Sequence, residues 1–241
     1  MQDLNGKVAV VTGAGSGIGL ALAHRLAREG MRLALADVDE HALAQAAESL
    51  RAAGTATDAV LTQRCDVSNE RDVHDLADYV FATWGGVDVL CNNAGVFVGG
   101  FMWERPSVDF EFVLGVNLWG ILHGIRAFVP RMIERGAEGH IVNTCSVAGL
   151  LASPVSGPYG VSKFAALAAT EALALDLAVI ESKLKVTALC PGMVRTSLGT
   201  TSQENRPGEF AAPLTEDAKF ANEALAEYLE EGVDPDFVAD R

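Results

Sequence analysis

The stretch SGPYGVSKFAALAAT, residues 156–170, holds one phenol and, four residues later, one primary amine among small and apolar side chains. Pro158 suits a helical first turn, and the alanines, leucine and lysine that follow are good helix formers, which predicts a helix. Positions four apart share a helix face, so Lys163 stands one turn from Tyr159. A phenol with a reference pKa of about 10 is a poor base at neutral pH, whereas an adjacent ammonium favours the phenolate. The pair therefore offers a tuned acid/base. On the plainer reading Tyr159 packs by its ring and Lys163 is a solvated surface charge.

A second group of residues has anion chemistry. TGAGSGIG, Thr12 to Gly19, follows the apolar run KVAVVT and precedes an amphipathic stretch. Gly13, Gly17 and Gly19 form GxxxGxG rather than GxGxxG, with Ile18 between the last two. Glycine permits a tight turn and close backbone approach, and a helix N-terminus presents unpaired N–H groups to a pyrophosphate. Asp37 lies eighteen residues after Gly19, at the end of the second apolar run, where a carboxylate can accept hydrogen bonds from ribose hydroxyls. Its other possible task is helix capping, which Asp39 also suits. A strand before the glycines, a helix after them and an acid beyond predict a dinucleotide site.

These residues need a frame to bring them together. KVAVVT, RLALA, AVLTQRC, VDVLC, HIVNTC and KVTAL read as six strands, alternating with helical stretches over 17–29, 39–53, 69–84, 107–135 and 157–181. Strict alternation predicts an α/β fold, a parallel sheet with helices on both faces. Neither linker nor repeat divides the chain, so residues 1–241 are expected to form one domain. After Pro191 the pattern breaks into Gly, Pro, Thr and Ser before the helical stretch EDAKFANEALAEYLEE, which predicts a substrate loop or lid over about 193–231. The tail has a helix start at Asp234 and Pro235 with six residues after the proline, too few for a stable helix, so the natural chain is expected to continue past Arg241.

Composition excludes several classes. A net charge of -14 without clustered Lys or Arg argues against nucleic acid. Cys65, Cys91, Cys145 and Cys190 lie far apart, with no CxxC and no matching His spacing, against a metal site or disulfide framework. His24, His41, His74, His123 and His140 fall outside every motif and read as surface or packing residues. The longest apolar region, FEFVLGVNLWGILHGIRAFVP, is interrupted by Glu111, Asn117, His123 and Arg126 and is not expected to span a membrane. Without a signal-peptide pattern, a cytoplasmic protein is expected.

Taken in chain order, the motifs resemble those of the short-chain dehydrogenase/reductase family in its classical branch. They are TGxxxGxG (Thr12–Gly19), CDV with Asp66 and Val67, NNAG (Asn92–Gly95), Asn117 in VNLWG, Ser146 in TCSVAG, YxxxK, and PGMVRT (Pro191–Thr196). The resemblance implies a doubly wound Rossmann-like sheet in order 3-2-1-4-5-6, with the cofactor across the carboxyl ends of strands one and four. It implies Gly13, Gly17, Ile18, Gly19 and Asp37 at the pyrophosphate and adenosine ribose, Asp66 and Val67 at the adenine, and Asn93, Ala94 and Gly95 along the cleft. Pro191, Gly192, Val194 and Thr196 would seat the nicotinamide. Taken singly, Asp66 reads as a strand-end cap, Asn92 and Asn93 as a turn, Asn117 as a helix-bending residue and Pro191–Gly192 as a break.

In the mechanism the resemblance implies, Tyr159 is the general acid/base, Lys163 lowers its pKa and holds the nicotinamide ribose, and Ser146 donates a hydrogen bond to the substrate oxygen. Asn117 holds a relay water, partly by its backbone. Neither Ser16 nor Val38 is basic and Asp37 repels a 2′-phosphate, so NAD is expected rather than NADP. Segments 96–103, 147–158 and 193–215 are mostly apolar, with only Arg195 and Arg206 as basic groups, which points to a small hydrophobic secondary alcohol or ketone. Met102 and Trp103 read equally as a pocket wall or as core. Residues 109–129 and 158–180 are apolar on more than one face, which predicts a homodimer or homotetramer. A non-catalytic dinucleotide-binding sensor remains the alternative from another class. Epimerisation or dehydration, as in the extended branch, would go with GxxGxxG and a larger C-terminal domain.

Overall fold

The computed structural model describes residues 3–204, 206 and 215–241. β1 (Val8–Thr12) is buried at every residue, as a strand covered on both faces must be. Its side chains alternate between two cores. Val8 and Val10 join Leu76, Leu90, Phe128 and Ile141, while Ala9 and Val11 join Leu33, Leu35, Leu43 and Leu50. β2 (Arg32–Asp37), β3 (Val60–Arg64), β4 (Val89–Asn92), β5 (Gly139–Thr144) and β6 (Leu184–Leu189) complete one sheet in order β3-β2-β1-β4-β5-β6. Every pairing is parallel. The order reverses between β1 and β4, so the loops leaving their carboxyl ends diverge and open a crevice.

The first three helices follow the sequence pattern closely: α1 (Gly17–Arg28), α2 (Glu40–Ala52) and α3 (Glu70–Trp84). The predicted 107–135 helix is instead divided into α4 (Ser107–Leu114), a π-helical turn (Gly115–Trp119) and α5 (Gly120–Glu134). Asn117 lies within the turn and is fully buried, its side chain drawn out of the helix toward Val96. Such turns mark places where a side-chain demand competes with the regular helix ladder. Ser107–Glu134 is long and apolar enough to cross a membrane by length and composition, yet more than half of its most apolar stretch is buried within the fold.

α6 (Gly157–Val179) carries the tyrosine and lysine. Beyond β6, a short helix α7 (Leu198–Glu204) occupies part of the stretch expected as irregular loop, followed by α8 (Glu216–Glu230). Of the proposed lid, residues 205 and 207–214 lie outside the described residues. α9 (Pro235–Ala239) forms despite its length, because Asp234 accepts the Asp236 N–H and the helix packs on α1, where Arg25 pairs with Asp240 at 3.0 Å. Just before it, Val233 donates to Met193 O at 3.0 Å and accepts from Arg195 N–H at 2.8 Å, joining the tail to the loop after β6.

Candidate active site

The glycine turn is tied to β4. Thr12 Oγ1 accepts the N–H groups of Asn93 and Ala94 at 2.9 and 3.1 Å, and Asn93 Nδ2 donates to Thr12 O at 3.1 Å. Asn93 Oδ1 in turn accepts from Thr144 Oγ1 at 3.0 Å, so β1, β4 and β5 are locked at their carboxyl ends. Gly13 has φ 64°, and a Cβ there would lie 2.8 Å from Ala94 Cα; at Gly19 it would lie 2.0 Å from Gly13 O. Only glycine permits this turn. Ser16 precedes α1 without a side-chain capping bond, so the first-turn N–H groups of the helix face the cleft.

Asp37 does not cap α2. Asp39 does, accepting from His41 and Ala42 N–H, while Asp37 accepts from Gly15 N–H at 2.8 Å and Asp39 N–H at 3.1 Å and lines the cleft. Asp66 serves the local turn, its Oδ1 accepting from Ser68 N–H at 2.9 Å and Ser68 Oγ at 2.7 Å, and it borders the cleft beside Val67.

At the far end, Ser146 holds φ 157° and ψ 162°, backbone angles that residues other than glycine rarely adopt. Its hydroxyl accepts from Ala148 N–H at 3.1 Å, and Ser146 lines the same cleft as Tyr159. Lys163 is 3% exposed, donates from Nζ to Thr144 O at 2.8 Å, and lies 5.7 Å from the centre of the Tyr159 ring. It is not the solvated charge of the plainer reading. The expected lowering of the phenol pKa by Lys163 is not the balance found. Burial pushes Tyr159 above its ordinary value, with the Ser146 hydroxyl acting the other way, and burial lowers Lys163 to about 8. At this depth the loss of water outweighs the partner across 5.7 Å.

One cleft of about 410 Å³ joins these ends. Gly13, Gly17, Ile18, Asn93, Ala94 and Gly95 lie along it, Ser146, Tyr159 and Lys163 close one end, and Pro191, Gly192, Val194 and Thr196 form a wall. Of the residues expected from the sequence, Gly19 and Asn117 do not face it. Gly19 is buried under the turn, and Asn117 Oδ1 accepts Val96 N–H at 2.8 Å while Nδ2 donates to Val96 O and Ser162 Oγ, each at 2.9 Å. Met102 and Trp103 do not line it either; Trp103 stacks on Phe101 with ring centres 4.9 Å apart and is 78% exposed. Arg206 pairs with Asp109. Within the segments expected at the pocket, the Phe97 ring lies 5.1 Å from that of Tyr159, and Leu198 and Thr201 of α7 reach the cleft, as does Leu229 of α8 from the expected lid.

The histidines have other partners: His24 meets Ser49, His41 Gln45, His123 Val67 O and His140 Thr187, while His74 lies beside Glu70. Among the described residues no three His, Cys, Asp or Glu side chains converge as a metal would require. An acid at one end, open helix N–H groups in the middle and a buried amine at the other fit an extended dinucleotide.

A model of the short chain dehydrogenase family matches residues 7–207. The chain belongs to the short-chain dehydrogenase/reductase family. Its relatives include 1-deoxy-11-beta-hydroxypentalenate dehydrogenase of Streptomyces exfoliatus, 40% identical over 228 residues, which cover 93% of this chain and 81% of that protein. The 2,5-dichloro-2,5-cyclohexadiene-1,4-diol dehydrogenase of Sphingobium indicum is 36% identical over 209 residues, covering 86% and 80%. A family member from Burkholderia phymatum, solved in complex with NAD, superposes with a TM-score of 0.96 at 43% identity, over 100% of this chain and 85% of that one. These matches and the dehydrogenases among them make the protein a short-chain dehydrogenase/reductase of the oxidoreductase class, on the Rossmann-like sheet seen here.

Proposed function

We propose that the protein is an NAD(H)-dependent oxidoreductase that interconverts a hydrophobic secondary alcohol and its ketone. The observation that carries this reading is the convergence of Ser146, Tyr159 and Lys163 at one end of a cleft that begins at Asp37 and passes the N-terminus of α1. When bound, the nicotinamide supplies what no side chain does, a centre that accepts or returns a hydride.

The chain's own groups handle the proton. Tyr159 takes it from the substrate hydroxyl during oxidation and returns it to the ketone oxygen during reduction. Ser146 donates a hydrogen bond to the same oxygen and so fixes the reacting carbon. Lys163, held by Thr144 O, binds the ribose hydroxyls next to the phenol. Asn117 has its side chain committed to Val96 and Ser162, so its part in a proton relay falls to its backbone. Pro191 to Thr196 seat the nicotinamide.

Asp37 at the ribose end, with Ser16 and Val38 uncharged beside it, favours NAD over NADP. One carboxylate–phosphate clash supplies a preference of about tenfold, about 1.4 kcal/mol. The relatives named for a hydroxypentalenate and a cyclohexadiene-diol support an alcohol as substrate. The test is a panel of alcohols and ketones followed by the absorbance of reduced nicotinamide with each cofactor. Sustained turnover with NAD supports the reading. A protein that binds NAD yet turns over no member of the panel is a dinucleotide-binding sensor, and equal efficiency with NADP removes the role given to Asp37.

A further inference from the structure

The segment leaving β4, residues 96–105, makes a set of ties that the mechanism above does not use. Phe97 N–H donates to Ser202 Oγ on α7 at 2.9 Å, and Ser202 is only 2% exposed. The ring of the same Phe97 packs against Tyr159. Gly100 N–H donates to Val155 O at 2.7 Å, just ahead of α6, and Phe101 N–H donates to Asp217 Oδ2 at 2.8 Å, at the start of α8. One stretch of backbone thus touches the tyrosine, the approach to its helix, and both α7 and α8.

Buried charge fixes this arrangement. Arg105 donates to Asp217 Oδ1 and Oδ2 at 3.1 and 3.2 Å and to Asp109 Oδ2 at 3.3 Å. Thr215 Oγ1 is a further partner of Arg105, and Arg206 pairs with the second oxygen of Asp109. The side chains of Arg105, Asp109 and Asp217 are 3, 1 and 10% exposed. Two cations face two anions, so the cluster is neutral as a whole and badly unbalanced if any one member leaves. A buried ion pair gains little over an apolar contact, but its charges are satisfied in only one geometry. Its effect is therefore to set where α8 begins relative to residues 96–105. Leu198, Thr201 and Leu229 of α7 and α8 line the cleft, so this placement decides how far the cleft is covered.

We propose that Asp217 and Ser202 are positioning residues of a two-point clasp that fastens α7 and α8 to residues 96–105 and thereby sets access of substrate to Tyr159. The kinetic consequence rests on the alcohol/ketone oxidoreductase reading; the structural one does not. Releasing a clasp point lets the covering helices open more often, which weakens substrate retention without touching the acid/base pair or the glycine turn.

The test uses Asp217→Asn, which keeps the shape but loses the charge, the milder Ser202→Ala, and the charge-conserving Asp217→Glu. Hydrogen exchange of the intact protein reads the clasp directly. Amides of 198–204 and 217–230 should exchange at least about tenfold faster in Asp217→Asn and Ser202→Ala, with those of β1 and α1 unchanged. With the best alcohol of the panel, KM should rise about fivefold or more while kcat and the NAD Kd stay within about twofold, and Asp217→Glu should recover part of the loss. Unchanged exchange and KM in both variants overturn the proposal, as does an equal loss of kcat, NAD affinity and thermal stability, which would make the residues scaffold only. If the wild-type protein turns over nothing, the oxidoreductase reading fails, while the exchange measurement still decides whether the clasp exists.

Discussion

Tyr159 and Lys163 show how one environment acts on two groups of opposite charge type. Burial raises the phenol and lowers the amine, so each is shifted toward its neutral form. Tyr159→Phe keeps the ring beside Phe97 and removes only the proton-carrying oxygen. Steady-state kinetics should show kcat lower by about 10² to 10⁴-fold, with NAD affinity nearly intact. Lys163→Ala should impair turnover and NAD binding together. Because the phenolate is the form that accepts a proton and its pKa is raised, kcat/KM for alcohol oxidation should climb through the alkaline range in a pH–rate profile. Ketone reduction needs the phenol and should not share that rise. For Lys163 the folded pKa of about 8 lies below the unfolded value, so the unfolded chain binds the extra proton in the window above pH 8. This group's contribution to stability therefore rises with pH there. The ammonium proposed to hold the ribose is lost over the same window, so the NAD Kd, followed by calorimetry, should increase as pH rises through about 8.

Among the elements, the π-helical turn between α4 and α5 is where a single side chain decides the geometry. Asn117 satisfies both polar groups of Val96 and the Ser162 hydroxyl, linking β4's exit loop to α6 one residue before Lys163. Asn117→Ala leaves the buried Val96 N–H and C=O without partners, at about 1–3 kcal/mol for each unsatisfied group. Chemical denaturation should show that loss, and kcat should fall with it because α6 is no longer held against the loop. The sequence pattern reads residues 107–135 as one helix, although Gly115, Gly120, Gly124 and Pro130 within it are poor helix formers. The bulge arises from a hydrogen-bond demand twenty-one residues earlier in the chain, at Val96. Short α7 is not legible locally for a related reason: seven residues of LGTTSQE have weak helical preference, and the helix is held by Ser202 accepting from Phe97.

The whole molecule leaves a surface uncovered. Trp119, Phe164, Leu175, Val179 and Ile180, on the π-helical turn, α6 and its C-terminal end, are 48, 45, 69, 82 and 56% exposed. Apolar area of this kind on helices that also face the core is expected to pair with a second copy of the chain. Light scattering at micromolar concentration should give at least a dimer, and Leu175→Glu combined with Val179→Glu should shift it toward monomer. A wild-type monomeric mass would overturn the expectation.

The sequence by itself determined the sheet, because parallel strands covered on both faces must be continuous apolar runs and the glycine turn after β1 must precede a helix. It also marked Tyr159, Lys163, Ser146 and Asp37, since their chemistry is bound to local spacing or to motif position. Tertiary structure alone decided that Asp39 and not Asp37 caps α2, that Asn117 turns away from the cleft, and that Lys163 loses its water. It alone gathered Arg105, Asp109, Arg206 and Asp217, which are spread over more than a hundred residues of chain. Burial and long-range pairing depend on what the rest of the chain brings alongside, and no local pattern encodes that.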